Sequence, residues 1–174
     1  MNNIHQNPYA HSAANFLPDD IDYRTQQTKL GTWKTFMHED GATFHEFRSH
    51  ASFMDLPLYN YTQGKCPETG KSKTARGIVA VGRFAAGVFA IGQVAYGIVA
   101  IGQLAIGLLA VGQLAIGVLS IGQGAIALWF ALGQFAVGYY AVGMFAAGYF
   151  ANGLFAAGAV PVGKKVFRIP VLVW

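Results

Sequence analysis

Charge is missing from most of the second half of this chain. Every Asp, Glu and His of the 174 residues lies before residue 69, and no charged side chain occurs over 84–163. Residues 1–70 hold five basic and eight acidic groups, whereas residues 71–174 hold seven basic groups and no acid. Such a polarised chain can attract copies of itself head to tail or settle on an anionic surface. The alternative is that the basic residues only solubilise the ends of an apolar block.

Three further scarcities restrict the classes of function. The single Cys66 excludes an intramolecular disulfide framework and fits a reducing compartment. Residues 1–30 are polar and lack the apolar region of a Sec signal peptide, so we expect a cytoplasmic or membrane-associated location. The basic residues form two clusters with no nucleic-acid reading module, and no nucleic-acid partner is expected.

Candidate catalytic and metal-binding residues are also few. His38, His45 and His50 occur with Glu39 and Glu46, but the spacing from His45 to His50 is one residue longer than in the zincin motif. No nucleophile–base pair and no Gly-Lys-Ser/Thr phosphate loop is present. We therefore expect no enzymatic activity, no metal, no cofactor and no small-molecule substrate.

Glycine, in contrast, is abundant and regularly spaced. It recurs at every fifth position over 77–122 and again over 133–163, with a one-residue slip around Ala127. Alanine stands two positions before nearly every glycine, and Ser120 and Pro161 are the exceptions. A short fixed period of this kind predicts a repeat architecture.

The period favours strands over helices. Five residues rotate an α-helix by about 500°, so the glycines would not share a face, and each would cost about 1 kcal/mol. Short strands with glycine corners fit better, because glycine tolerates positive φ and close backbone approach. We predict an all-β fold, a glycine-cornered β-solenoid with a small N-terminal β cap, and helices remain the alternative. The predicted corners are Gly82, Gly92, Gly102, Gly107, Gly112 and Gly122.

A second period of ten residues overlies the first. The residue after glycine alternates between polar and apolar, and the polar positions of the array include Gln93, Gln103, Gln113, Gln123 and Gln134. With ten residues per coil these glutamines would form one ladder, and with twenty they would occupy two corners. Stacked amides can hydrogen-bond to each other; otherwise glutamine only keeps one corner hydrated.

The exterior of such an array lacks charge whichever residues face inward. Either Leu and Ile point in and alanine out, or alanine points in and the large residues point out. Because soluble monomers rarely expose large apolar patches, copies of the protein or lipid must cover this surface. We predict a structural protein that self-assembles into a filament, tube or sheet, with a membrane-embedded or membrane-associated protein as the alternative. The end charges expected to direct assembly are Arg76, Arg83, Lys164, Lys165 and Arg168.

The chain divides into four parts. Residues 1–30 form a polar N-terminal arm, 31–74 a small β unit with cap and linker, 75–163 the repeat solenoid, and 164–174 a basic and apolar tail. Within the β unit, alternation over 32–38 and 42–53 predicts a hairpin around Glu39-Asp40-Gly41. Residues 56–61 form a plausible third strand.

One resemblance extends over about residues 46–163. The run Cys66-Pro67-Glu68-Thr69-Gly70-Lys71, followed by Ala75-Arg76-Gly77-Ile78-Val79-Ala80-Val81-Gly82 and then Ala-Ile-Gly units, resembles a group of bacterial proteins with Ala-Ile-Gly repeat arrays. The spacing is also similar to that of pentapeptide-repeat solenoids, although the characteristic polar residue of those repeats is absent. The resemblance implies a β-solenoid and brings no activity with it.

Overall fold

The computed structural model describes residues 24–38, 41–67 and 70–169. Within these ranges all regular structure is β, and no helix occurs. The strands are β1 (Arg24–Gln27), β2 (Gly31–Met37), β3 (Thr43–Ser49), β4 (Ser52–Phe53), β5 (Leu56–Pro57), β6 (Tyr59–Gln63), β7 (Thr74–Val137) and β8 (Tyr140–Arg168). Predictions on the first 23 residues, the Glu39-Asp40 turn and the last five residues fall outside the described part of the chain.

One sheet links the N-terminal unit to the array. Its strand order is β1-β2-β3-β6-β7-β8, while β4 and β5 form a separate two-stranded sheet. The predicted hairpin is confirmed, since β2 and β3 pair antiparallel over their full lengths. The third strand lies slightly later than predicted, as β6. The chain also pairs earlier than predicted, because β1 belongs to the segment expected to be a polar arm and lies antiparallel to β2.

The array returns to its own register every ten residues. Strands β7 and β8 pair in parallel, with Phe130 opposite Tyr140 and Gly133 opposite Gly143. The connection between these two strands is only two residues long. Strand β6 is also parallel to β7 and places Tyr61 opposite Val81. The glycine contacts show the same spacing over most of the array. From Gly87 to Gly122 and from Gly143 to Gly163, the Cβ site of every fifth-position glycine faces a carbonyl oxygen ten residues earlier. Ten residues, not twenty, is therefore the spacing of neighbouring backbone segments.

Alanine forms the interior of the array. Of the two arrangements left open by the sequence, the structure has alanine inward and the large residues outward. The fully or almost fully buried alanines are Ala75, Ala80, Ala85, Ala90, Ala95, Ala100, Ala105, Ala110 and Ala115 in one cluster, and Ala125, Ala127, Ala131, Ala136, Ala141, Ala146, Ala151 and Ala156 in a second.

Of the two reasons given for the array glycines, the structure shows close backbone approach and not positive φ. Among the described residues, the glycines with positive φ are Gly41, Gly64 and Gly70, all before the array. The prediction of a left-handed backbone at the array glycines is therefore wrong. What excludes a side chain is the neighbouring backbone: a Cβ on Gly107 would overlap the carbonyl oxygen of Gly97.

The slip in the repeat lies where alanine replaces a glycine. Ala127 occupies a glycine position and is 7% exposed. The spacing is eleven residues for two contacts, Gly133 with Gly122 and Gly138 with Ala127, and returns to ten at Gly143; the Cβ site of Gly138 is 2.7 Å from the carbonyl oxygen of Ala127. The buried Ser120 lies in sequence between the two alanine clusters. It donates a hydrogen bond to the carbonyl oxygen of Ile126 at 2.9 Å. The extra residue thus comes with a hydroxyl that satisfies a backbone acceptor.

Candidate functional site: an uncharged apolar exterior

The surface of the array consists mainly of large apolar side chains. Ile101 is 44% exposed, Leu108 53%, Leu119 39% and Phe135 57%. These residues come from both five-residue halves of the ten-residue repeat, so the apolar surface is not confined to one side. It extends over the whole segment that lacks charge. Exposed apolar area of this extent is typical of an interaction surface.

The glutamines are exposed at equivalent positions of successive repeats. Gln93, Gln103, Gln113 and Gln123 follow each other at ten-residue intervals, and Gln134 follows after the slip. Gln93 accepts a hydrogen bond at its Oε1 from Arg83 Nε, at 3.1 Å. The column is therefore a polar strip on an otherwise apolar surface.

Aromatic rings stack in the last third of the array. Phe135 and Phe145 are parallel with centroids 5.0 Å apart, and Phe155 continues the stack at 4.9 Å. Lys165 lies 5.7 Å from the centroid of Phe155 and ends this stack with a cation. Two further stacks join Tyr139 to Tyr149 and Tyr140 to Phe150. The sequence showed the enrichment in aromatic residues, and the ten-residue period would have predicted the stacks.

A second aromatic group occupies the N-terminal sheet. Trp33 contacts Phe47 at 4.9 Å between centroids and Tyr61 at 6.2 Å, and Phe47 is 5.8 Å from Tyr59. Tyr61 pairs with Val81, so this aromatic cluster continues the outward face of the array. Sequence analysis missed the cluster, although the alternation within each strand contained the signal.

The predicted end charges are all exposed and remain in two groups. Arg76 and Arg83 lie at the start of the array, and Lys164, Lys165 and Arg168 lie at its end. Arg83 also approaches Ser72, with Nη1 3.5 Å from Oγ.

The predicted corner glycines fall into two series of equivalent positions. Gly82, Gly92, Gly102, Gly112 and Gly122 belong to one series. Gly107 belongs to the other, which also contains Gly97 and Gly117.

The histidines and acidic residues of the N-terminal unit take part in structural contacts. His45 Nδ1 lies 3.3 Å from Thr35 Oγ1, and His50 Nε2 lies 3.0 Å from Thr32 Oγ1. Glu46 forms an ion pair with Lys73 at 2.8 Å. No group of three potential metal ligands occurs within the described ranges.

Comparison with known proteins finds no relative whose function could be compared with this surface. No family model, no curated protein and no solved structure matches the chain. None of the described residues belongs to a helix that is long and apolar enough to cross a membrane.

Proposed function

We propose that residues 75–163 form a β-solenoid with ten residues per coil. Two residues between β7 and β8 are too few for an ordinary parallel crossover, which needs a dozen or more. Continuous winding of the chain removes this difficulty, because each coil then pairs with the one before it. The constant register of ten residues supports this geometry.

Such a coil explains the alanine core. Ten extended residues give a perimeter of about 33 Å, so two opposite sides of the coil lie very close together. A methyl group fills this space, whereas leucine or phenylalanine must point outward. The large apolar residues are therefore on the surface because the solenoid is thin.

The function that this geometry supports best is that of a non-enzymatic structural protein embedded in a membrane. The observation behind the proposal is the exterior: apart from the glutamine column, the exposed side chains of the array are mainly apolar, and charged side chains lie at its two ends. Lipid covers all sides of such an object at once. In the proposed solenoid the backbone groups of each coil pair with those of its neighbours, which the interior of a bilayer requires.

The dimensions agree with this proposal. Nine glycines of one column, from Gly82 to Gly163, define eight intervals, which correspond to about 38 Å at 4.8 Å per strand spacing. The hydrocarbon core of a bilayer is about 30 Å thick. The aromatic cluster around Trp33 and the tyrosines at 139, 140 and 149 then lie towards opposite ends, where aromatic residues anchor proteins at membrane interfaces.

Flotation of the full-length protein with phosphatidylcholine vesicles tests the proposal. The protein, extracted in mild detergent and reconstituted, should float with the vesicles and resist extraction by alkaline carbonate. Protein that sediments without lipid, resists detergent and appears as filaments by negative-stain electron microscopy would contradict membrane embedding.

Self-association is the second candidate, and the glutamine column favours it. An amide is both donor and acceptor, so a column of glutamines is complementary to the same column of another copy. Growth by end-to-end stacking is less well supported, because β6 already pairs with the first coil. Lateral contact through the apolar faces and the glutamine column is the geometry to expect if filaments or sheets are found.

A further inference from the structure

We propose that a groove at the start of the array binds an anionic lipid, with its phosphate at Arg83 and one acyl chain along a floor of glycines. The proposal rests on membrane embedding and names one lipid class that the embedded protein selects. The groove has a volume of about 650 Å³ and runs from the N-terminal sheet over the first coils.

The groove follows from the glycine column. A side chain on Gly82 would overlap Thr62 of β6, and side chains on Gly92 and Gly102 would overlap the carbonyl oxygen of the glycine ten residues earlier, so these three glycines form a continuous floor. Ile91 and Ile101, each 44% exposed, form an apolar wall along this floor. A channel with an apolar wall and no side chains in its base fits an extended hydrocarbon chain.

The mouth of the groove is basic and polar. Arg83 and Lys65 line it together with Ser72 and Gln63, and none of the described residues that line the groove is acidic. The guanidinium of Arg83 is positioned by Gln93 Oε1 at 3.1 Å and by Ser72 Oγ at 3.5 Å. These two contacts use part of its five N–H donors, and the remainder can bind a phosphate.

The order of these groups matches a phospholipid and not a free anion. Charge lies at the end of the groove nearest the N-terminal sheet, and the apolar wall extends from it towards the middle of the array. In the membrane-embedded orientation, the mouth therefore lies near the headgroups and the glycine floor runs into the hydrocarbon.

The test compares retention of phosphatidylglycerol and phosphatidylcholine by the detergent-purified full-length protein, measured by native mass spectrometry. We expect phosphatidylglycerol to be retained preferentially. Arg83→Gln should lower this preference about fivefold, the effect expected for one cation near an anionic headgroup. Lys164→Gln, at the opposite end of the array, is the matched control and should leave the preference unchanged.

Two further arms separate the possible sources of binding. Ile91→Trp fills the groove without changing charge and should also reduce retention, whereas inorganic phosphate at equal concentration should not compete. Equal losses for Arg83→Gln and Lys164→Gln would overturn the site in favour of general surface attraction, and full competition by phosphate would show an anion site without a lipid chain. Flotation with phosphatidylcholine vesicles but no preference between lipids would reject this inference and leave membrane embedding standing.

Discussion

At the scale of single residues, most array glycines are required by the backbone of the preceding ten-residue repeat. The site of a Cβ on Gly107 is occupied by the carbonyl oxygen of Gly97, and backbone cannot move aside as a flexible side chain can. Gly124 is different, because its Cβ would meet the end of the Leu114 side chain at 3.2 Å. Two glycines in one array therefore differ in their tolerance of a methyl group.

Gly107→Ala should destabilise the fold by about 3 kcal/mol or more, at the upper end of overpacking costs, and Gly107→Val should prevent folding. Gly124→Ala is the matched control and should remain within about 1 kcal/mol of the parent. Urea unfolding followed by circular dichroism measures both. A native-like Gly107→Val variant would show that the backbone at Gly97 does not lie against Gly107.

Ser120 differs from the alanines at equivalent positions by one buried hydroxyl. We expect Ser120→Ala to lower the free energy of unfolding by about 1–3 kcal/mol, because the carbonyl of Ile126 loses its donor. The reciprocal change Ala115→Ser buries a hydroxyl in a regular coil and serves as the comparison. Equal stability of Ser120→Ala and the parent would mean that the acceptor finds another partner.

At the scale of elements, the long strand β7 contains one irregular repeat, and Ala127 accounts for it. A methyl group does not fit at a position where the neighbouring repeats have glycine, because the Cβ site of such a glycine lies against a carbonyl oxygen of the preceding repeat. The extra residue of the slip and Ala127 therefore belong together.

Deletion of Leu128 combined with Ala127→Gly should restore the ten-residue register and give a folded protein at least as stable as the parent. Deletion of Leu128 alone should destabilise it, because the methyl of Ala127 is forced towards the preceding coil. Thermal unfolding by circular dichroism distinguishes the two. If the single deletion were the more stable variant, Ala127 would not be the reason for the extra residue.

At the scale of the whole molecule, the apolar exterior has a middle and two ends. Leu119 and Val160 occupy the same column and are similarly exposed, at 39% and 43%. In a membrane they lie at different depths, Leu119 near the centre and Val160 near the basic end. Depth alone therefore distinguishes these positions.

Leu119→Lys should lower partitioning into phosphatidylcholine vesicles by about 60-fold or more, because a charge at the bilayer centre costs about 2.5–3.5 kcal/mol. Val160→Lys should be nearly neutral, since its ammonium reaches the headgroups. Flotation yields measure both. Equal effects of the two substitutions would favour association between copies of the protein, because the cost of a charge in such an interface does not depend on depth in a bilayer.

The sequence was sufficient for the all-β class, the N-terminal hairpin and the position of the slip, because each depends on local period or turn residues. It left open which face of the repeat is inward, since Ala and Leu alternate in either case. That choice depends on the spacing of coils across the interior, which no local pattern contains. The alternation within each strand shows that Trp33 and Tyr61 lie on one face of their own strands, but their meeting depends on the pairing of β2 with β3 and of β3 with β6.

In the proposed solenoid, the number of ten-residue units determines the height of the array. Insertion or removal of one unit would change that height by one layer, about 4.8 Å, and would leave the packing within the other layers unchanged. Duplication of a short stretch of coding sequence is therefore enough to lengthen the protein without redesigning its interior. The height of the apolar girdle can be adjusted in uniform steps to the thickness of whatever surrounds it.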